Sequence, residues 1–531
     1  MSLLKIDDHE LEVEADTNVL AAAMAAGIEI PHYCYHPALS VVGSCRMCMV
    51  EIEGMPKLQT SCSTPVGELP PEKKVDGRYD MVVHTTSEKA VAAQKLVLEF
   101  LLINHPLDCP VCDQAGECFL QDYAFKYGSV HSRFIEDKRV RAGMELGAGV
   151  VINYNRCIMC TRCVRFTREV TGTDELYIEE RGYGSRIAVF DGNPLDNPLA
   201  GNVADICPVG ALLLKDYMHT TRVWHLSHTP SVCTECTTGC NITVDAASGR
   251  IHRIVSRENQ QANGHFICDA GRYAHHKYTE NVLEQPQLRA GNEWEAVSWE
   301  EAYQTVVDRI AEHGGTESVR ALAAATLPNE SNFLLGQLMQ KLSDRKNIAL
   351  LPMAREADLQ FPSGFRISGD KGGNRRGAKD MIPKLAAGPR SLLRDIGVLL
   401  IVDANGRGKI TSDVSKLCEG AAFTVVLASN RSAIVELADL VLPIAGPFER
   451  EGTVTNDQGL VQWLRPTRLL QGKARADWLV VAELDRMLTG EGSLYTHAGD
   501  VTWKINQTIP AYSQATRFKL GLKGLFVESA D

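Results

Sequence analysis

The sequence predicts a multidomain α+β protein in which cysteine-rich segments precede an α/β layer domain. The chain has 531 residues, of which 44% are hydrophobic and 23% are charged, as in ordinary globular domains. Fifteen of its 16 cysteines lie before residue 270. Beyond residue 285, short apolar runs alternate with helical patterns, which is typical of a parallel sheet covered by helices.

The first predicted domain, residues 1–78, has the pattern of a β-grasp fold. Residues 2–6 and 10–14 alternate as the two strands of a hairpin. Thr17 is then predicted to cap an alanine-rich helix over 18–26. Short strands at 51–53 and 58–60 and an exposed turn over 67–77 complete this prediction.

The spacing of the cysteines divides them into four groups, and it leaves few other ways to divide them. The spacings are C-x10-C-x2-C-x13-C, H-x3-C-x2-C-x5-C, C-x2-C-x2-C with a distant Cys-Pro, and C-x2-C-x3-C-x27-C. In order, the residues are Cys34, Cys45, Cys48 and Cys62; His105, Cys109, Cys112 and Cys118; Cys157, Cys160, Cys163 and Cys207; and Cys233, Cys236, Cys240 and Cys268. Cys418 has no partner, so it is predicted to be a buried apolar residue.

Thiols at these spacings are typical of iron–sulfur clusters, which are held by about four cysteines with histidine as an occasional replacement. A short C-x2-C loop can curl around one corner of a cluster, and a distant fourth ligand then closes the site. In the third group that distant residue is Cys207, which indicates one cluster rather than two. Structural zinc is the alternative, because a single C-x2-C pair also fits a tetrahedral ion.

His105 is a candidate ligand because it stands where the second group lacks a fourth cysteine. It follows a helix predicted over 88–104, so the alternative is that it caps this helix. Arg156, Arg162 and Arg165 lie close to the third group in the sequence. They form either a solvated basic face or a screen for the charge of a cluster, which would raise its reduction potential.

The later domains are predicted at 79–139, 140–225, 226–284 and 285–531. The last of these contains an amphipathic helix over 299–313 and buried parallel strands over 396–402 and 423–428. Its glycine-rich stretch over 372–377 does not match a dinucleotide-binding loop, and no phosphate-binding loop is found. No catalytic residue is predicted.

Composition and charge restrict the partners and the compartment. Acidic residues outnumber basic residues by 66 to 55, and the net charge of −11 argues against a nucleic-acid partner. The N-terminus reaches charged residues before an apolar signal segment could form, and no apolar run approaches the length of a membrane helix. A soluble, cytoplasmic protein is therefore expected, whose cysteines serve metal or redox sites rather than disulfides.

The cysteine groups and their surroundings resemble the large iron–sulfur subunit of bacterial respiratory complex I (NADH:quinone oxidoreductase). The matching segments are PHYCYHP from Pro31, GSCRMC from Gly43, NHPLDCPVCDQAGEC from Asn104 and NVADICPVGAL from Asn202. The resemblance implies a [2Fe-2S] cluster on the first group and a [4Fe-4S] cluster on each of the other three. It also places the fourth cluster, which only some members have, off the main electron route.

By the same resemblance, the chain is an enzyme subunit without an active site of its own, and it passes single electrons from a partner's flavin toward quinone. The implied partners are the subunit that binds flavin and NADH, a small [2Fe-2S] subunit and downstream iron–sulfur subunits of complex I, with no nucleic acid. The implied location is the cytoplasmic side of the bacterial inner membrane, where the chain is peripheral and is attached through the complex.

The C-terminal part resembles a molybdopterin oxidoreductase, through ADLVLP from Ala438 and REGTVTNDQGLVQ from Arg450. No cysteine stands where a molybdenum ligand would be expected, so a shortened α/β domain without metal is predicted. Two alternatives stay open for the whole chain. It could be the iron–sulfur subunit of a soluble NAD-dependent hydrogenase or formate dehydrogenase, or a zinc-stabilised interaction protein.

Overall fold

The computed structural model describes residues 1–14, 16–67, 78–129 and 131–528, and these residues divide into two compact units. The first unit runs to residue 226 and includes 361–363, and the second contains the remainder from 227 onward. Within the described ranges, no helix is long and apolar enough to cross a bilayer. Most of the turn predicted over 67–77 lies outside the described residues.

Short strands and helices separated by long loops make up the first unit. Its strands are β1 (Ser2–Ile6), β2 (His9–Val13), β3 (Met49–Ile52), β4 (Gln59–Thr60), β5 (Met81–His84), β6 (Met144–Gly147), β7 (Val150–Ile152), β8 (Tyr177–Glu179), β9 (Arg186–Ala188) and β10 (Leu212–Leu214). Its helices are α1 (Val19–Ala25), α2 (Glu88–Leu102), α3 (Phe119–Tyr127), α4 (Arg162–Arg165) and α5 (Asn202–Asp205). A π-helical turn, Phe166–Thr171, continues α4.

The N-terminal part confirms the predicted β-grasp fold. Its sheet has the order β2-β1-β5-β3-β4, with β1 parallel to β5 and antiparallel to β2. The predicted cap, Thr17, is wrong: the Oδ1 atom of Asn18 accepts a 2.8 Å hydrogen bond from the Ala21 amide. The Thr17 carbonyl accepts a 2.7 Å hydrogen bond from the Val66 amide, outside the helix.

The rest of the first unit is organised around small sheets, so most of its backbone is loop. Strands β10, β7 and β6 form one antiparallel sheet, and β8 pairs with β9. Helix α2 begins after Ser87, whose hydroxyl accepts a hydrogen bond from the Ala90 amide, and it ends two residues earlier than predicted. The cysteines of the second and third groups lie mainly in the loops that connect these elements.

The second unit contains a larger set of regular elements. Its strands are β11 (Ser227–Val232), β12 (Asn241–Ala247), β13 (Arg250–Ser256), β14 (Gln287–Ala290), β15 (Glu293–Ala296), β16 (Val319–Ala323), β17 (Ile348–Leu350), β18 (Leu359–Gln360), β19 (Arg366–Ile367), β20 (Val398–Asp403), β21 (Phe423–Ala428), β22 (Leu440–Pro443), β23 (Gly452–Thr455), β24 (Leu460–Leu464) and β25 (Leu525–Phe526). Its helices are α6 (Asp269–Arg272), α7 (Ala274–Thr279), α8 (Trp299–Glu312), α9 (Asn329–Leu342), α10 (Arg375–Met381), α11 (Ser412–Gly420), α12 (Asp477–Thr489), α13 (Ala498–Thr508) and α14 (Arg517–Leu520).

A seven-stranded sheet with the order β15-β14-β22-β21-β20-β16-β17 is the core of the second unit. Strands β20 and β21 are parallel and fully buried, which confirms the predicted α/β layer. The predicted amphipathic helix is α8, which begins with a capping box formed by Ser298 and Glu301. Cys418 is half-buried rather than buried, because α11 points Val414 and Leu417 into the core instead.

Candidate metal centres

The first cysteine group surrounds one point in the loops between α1 and the end of β4. Cys34 is hydrogen-bonded to the thiols of both Cys45 and Cys62, and Cys48 is hydrogen-bonded to Cys62. The hydrogen bond from Cys45, followed by that from Cys62, lowers the pKa of Cys34. The hydrogen bond from Cys62 lowers the pKa of Cys48 to about 7. Four converging thiols, two of which favour the thiolate, are the donor set that a small cluster needs.

The third group lines a single cavity, and its loop curls as the C-x2-C-x2-C spacing predicts. Met159 and Thr161 adopt left-handed φ angles of 53° and 62°, which turn the chain between successive cysteines. Burial raises the pKa of Cys157 to about 12 and that of Cys160 to about 11. These thiols would therefore release protons when a metal binds. The cysteines that line the cavity are Cys157, Cys160, Cys163 and Cys207.

The second group is only partly enclosed. Cys112 and Cys118 are buried, whereas Cys109 is exposed. The three thiols interact electrostatically with one another, and burial raises the pKa of Cys112 and of Cys118. One wall is formed by Gly210, which leaves no room for a side chain beside the Cys112 sulfur.

His105 lies beside this group, and its surroundings keep its ring neutral. Burial, followed by the nearby charges of Arg156 and Lys138, lowers the pKa of His105 to about 4. The ring makes no hydrogen bond with any residue that the structure describes. The capping alternative is not supported, because the Lys138 ammonium already donates to the carbonyls of Leu102 and Ile103 at 2.7 and 3.0 Å. A neutral imidazole with a free nitrogen is suited to metal ligation.

The fourth group belongs to the second unit and is enclosed by it. A Cβ atom added to Gly271 would lie 3.0 Å from the Cys233 sulfur and 3.8 Å from the Cys268 sulfur, so these two thiols converge. The Cys233 amide donates a 2.8 Å hydrogen bond to the Cys240 carbonyl, which closes the loop. Burial raises the pKa of all three of these thiols.

Burial decides between the two interpretations of the arginines near the third group. The exposed fractions are 8% for Arg156, 5% for Arg162 and 7% for Arg165, so a solvated basic face is wrong. Arg156 is paired with Asp108, the residue before Cys109, at 2.9 Å. Positive charges buried this deeply beside thiol groups match the negative charge that a ligated cluster carries.

Sequence reasoning missed the residues that connect the groups. Gly210 and Gly271 were not singled out, although both make room for ligand sulfurs. The only local signal was that a glycine follows Cys-Pro-Val at Cys207 and another closely follows Cys268. The need for glycine at these positions depends on distant segments, which spacing alone does not show.

Comparison with known proteins assigns each cysteine group to a family domain. Five family models match, and each cysteine group falls within a different one. They are a 2Fe-2S iron-sulfur cluster binding domain at 3–68, an NADH-ubiquinone oxidoreductase-G iron-sulfur binding region at 94–133, an NADH-quinone oxidoreductase subunit 3 ferredoxin-like domain at 147–213, a molybdopterin oxidoreductase Fe4S4 domain at 226–279, and a molybdopterin oxidoreductase domain at 283–366 and 407–486.

Curated relatives point the same way. The G subunit of the NADH-quinone oxidoreductase of Rickettsia bellii (strain RML369-C) is 39% identical over 342 residues, which are 64% of this chain and 48% of that protein. The NADH-ubiquinone oxidoreductase 75 kDa subunit of Reclinomonas americana is 37% identical over 341 residues, with the same shares. The chain thus spans about half the length of the curated relatives that it matches.

Among solved structures, an NAD+-reducing [NiFe]-hydrogenase chain is 32% identical and has a TM-score of 0.36, with 42% of this chain and 91% of that chain covered. The family domains and the curated relatives agree with each other and with the four convergent ligand groups. The chain therefore belongs to the family of the large iron–sulfur subunit of NADH-quinone oxidoreductase, respiratory complex I.

Proposed function

We propose that the chain holds one [2Fe-2S] and three [4Fe-4S] clusters and serves as an electron-carrying subunit of NADH:quinone oxidoreductase. The predicted residues hold them, in the order [2Fe-2S] then three [4Fe-4S]: Cys34, Cys45, Cys48 and Cys62; His105, Cys109, Cys112 and Cys118; Cys157, Cys160, Cys163 and Cys207; Cys233, Cys236, Cys240 and Cys268. Iron–sulfur clusters supply the ability to accept and release single electrons.

One observation carries this proposal. Cysteines of the first three groups belong to a single buried apolar cluster that includes Cys34, Cys118 and Cys160, with Tyr33 and Met47 packed among them. Apolar packing excludes water and lowers the local dielectric constant, which tunes the potential of a redox group. Three separate metal sites would not need a common core, whereas sites that exchange electrons need to be close.

The contacts support an order in which the third group lies between the first and the second. On one side, Arg165, two residues after Cys163 of the third group, donates to the Cys34 carbonyl of the first group at 2.6 Å. On the other side, the Phe119 amide, next to Cys118 of the second group, donates to the Pro208 carbonyl at 3.1 Å. On this basis we place the third site between the other two in space.

The fourth group lies in the second unit, and we place its cluster off the main electron route. Molybdenum is not expected, because Cys418 is the only thiol after Cys268 and it packs against the apolar core of the sheet. The proposed partners are the flavin- and NADH-binding subunit, the small [2Fe-2S] subunit and downstream iron–sulfur subunits, at the cytoplasmic face of the bacterial inner membrane.

Anaerobic purification of the tagged chain from its native membrane tests the proposal. We expect the other complex I subunits to copurify, and we expect NADH to reduce the clusters, as followed by electron paramagnetic resonance (EPR). Copurification with hydrogenase or formate dehydrogenase subunits would contradict the assignment to complex I. Cluster signals that NADH does not change would contradict a role in electron transfer.

A further inference from the structure

Arg165 connects the ligand loops of two different predicted clusters through one side chain. Its Nη2 atom donates to the carbonyl of Cys34 at 2.6 Å and to the carbonyl of Cys160 at 3.2 Å. Its Nη1 atom donates to the carbonyl of Ser40 at 2.5 Å, farther along the first loop. Cys34 belongs to the first group and Cys160 to the third, so the guanidinium holds both loops at once.

Arg162, one turn earlier in the same helix, makes a second connection of the same kind. Its Nη2 atom donates to the Tyr35 carbonyl at 2.5 Å, and its Nη1 atom donates to the Ile206 carbonyl at 3.1 Å. Tyr35 follows Cys34, and Ile206 precedes Cys207. Both arginines therefore bridge the first group to the third, and each uses two nitrogen atoms of its planar fork.

The two guanidinium charges are not neutralised by acidic side chains. Neither Arg162 nor Arg165 forms an ion pair with any carboxylate among the described residues, whereas Arg156 is paired with Asp108 at 2.9 Å. The Nε atom of Arg162 is buried and has no acceptor among the described residues. An unpaired buried cation is costly unless an anion lies close by.

We propose that Arg165 and Arg162 are positioning residues that fix the loop of the [2Fe-2S] site against the loop of the [4Fe-4S] site and place two positive charges between them. This inference rests on the proposed function, because it takes both sites to be occupied by clusters. The ligated clusters then provide the negative charge that balances the two guanidinium groups, which no carboxylate among the described residues does. A change at either guanidinium affects both sites, since each arginine contacts both loops.

Arginine is needed for both parts of this role, and two substitutions separate them. Arg165→Lys keeps the charge but loses the fork that reaches two carbonyls, and Arg165→Gln loses the charge as well. Arg168→Gln is the matched control, because Arg168 lies three residues farther along, is exposed and is paired with Asp174. All variants are measured in the intact complex.

Three quantities are measured for each variant. They are the midpoint potentials of both clusters, the spin relaxation rate of the reduced [2Fe-2S] EPR signal, and the hydrogen exchange rates of amides 34–40. Arg165→Gln should lower both midpoints together, because a positive charge is lost beside each cluster. Arg165→Lys should leave the midpoints nearly unchanged. Both variants should speed amide exchange over 34–40 by about tenfold, since the first loop loses its tether. Arg168→Gln should match the wild type in every readout.

The wild-type protein provides a test that does not depend on how the variants fold. Reduction of the [4Fe-4S] cluster should speed the spin relaxation of the [2Fe-2S] signal, because the loops are held together. An unchanged relaxation rate would overturn the proposal, as would unchanged midpoints and unchanged exchange in Arg165→Gln. A wild-type protein without iron–sulfur signals would instead overturn the proposed function, so the two failures are distinguishable.

Discussion

Gly210 lies directly against the Cys112 thiol: a Cβ atom added to Gly210 would be 2.2 Å from the Cys112 sulfur and 3.0 Å from the Cβ atom of Gln114. Gly210 belongs to the segment after Cys207, a member of the third group, whereas Cys112 belongs to the second group. One segment thus supplies a ligand to one site and a wall to the next. A side chain at residue 210 would push the Cys112 sulfur away from its position.

We expect Gly210→Ala to displace Cys112 and to remove the cluster of the second group. The iron content should fall by about four atoms per chain, because a [4Fe-4S] cluster is lost. Gly67→Ala is the matched control, since a Cβ atom at Gly67 would meet no atom of the described residues within 4 Å. Iron and sulfide assays with EPR check the result, and a full iron content with an unchanged signal in Gly210→Ala would show that the wall is not needed.

The assembled chain should contain about 14 iron atoms, two in the [2Fe-2S] cluster and four in each of three [4Fe-4S] clusters. Sulfide should be present in the same amount as iron, and molybdenum and zinc should be absent. Elemental analysis and sulfide determination on anaerobically purified protein measure these quantities. Stoichiometric zinc with little sulfide would favour the zinc alternative, and one molybdenum per chain would contradict a metal-free C-terminal domain.

The sequence indicates the ligand groups because most of their members lie close together along the chain, and it indicates little of what joins the groups. Cys157, Cys160 and Cys163 are six residues apart from first to last, so their spacing records the shape of one loop. Arg165 and Cys34 are separated by 131 positions, and no pattern along the chain relates them. Contacts between segments were therefore the part that only the structure could give.

We expect Cys233→Ser to remove about four iron atoms while the second unit remains folded. Hydrogen bonds hold this small segment in addition to any metal that it binds. The Thr237 hydroxyl lies 2.7 Å from that of Ser368, and the Gln462 amide donates to the Gly239 carbonyl at 2.8 Å. Cys418→Ser, which removes a thiol outside the four groups, is the control.

Iron analysis and hydrogen exchange over 231–280 measure the effect of Cys233→Ser. EPR signals of the first three clusters should be unchanged, as should NADH:quinone electron transfer. Global unfolding of the second unit would show that the metal, not the hydrogen bonds, holds the segment. Loss of electron transfer in a complex that still assembles would place the fourth cluster on the main route.

The stability of the second unit should fall as the pH rises, because of Glu330. This carboxyl is fully buried and accepts hydrogen bonds from the Thr453 amide at 2.7 Å and from the Thr502 hydroxyl at 2.7 Å. Burial outweighs these hydrogen bonds and raises the pKa of Glu330 from 4.5 to about 7. The folded state therefore binds the proton more tightly than the unfolded state does.

The stabilising effect of this proton is complete below the unfolded pKa and is lost as the pH rises toward the folded pKa of about 7. The loss is on the order of 3 kcal/mol in the free energy of unfolding. Denaturant unfolding of the second unit between pH 5 and pH 8 measures it, and Glu330→Gln should flatten the profile. Glu300→Gln, an exposed position in α8, should leave the slope unchanged. A wild-type stability independent of pH in this range would contradict the prediction.

His105 has a lowered pKa, which keeps the imidazole neutral at pH 7. Because a thiolate is anionic, His105→Cys should add negative charge to the second group and lower the midpoint potential of its cluster. His131→Cys, the same change at an exposed position in the same unit, should leave that potential unchanged. A redox titration of the EPR signal of this cluster measures the difference. The Lys138 ammonium already donates to the carbonyls at the end of α2. Loss of a helix cap at His105 would therefore not explain a shifted midpoint potential. An intact cluster with an unchanged midpoint in His105→Cys would remove His105 from the ligands.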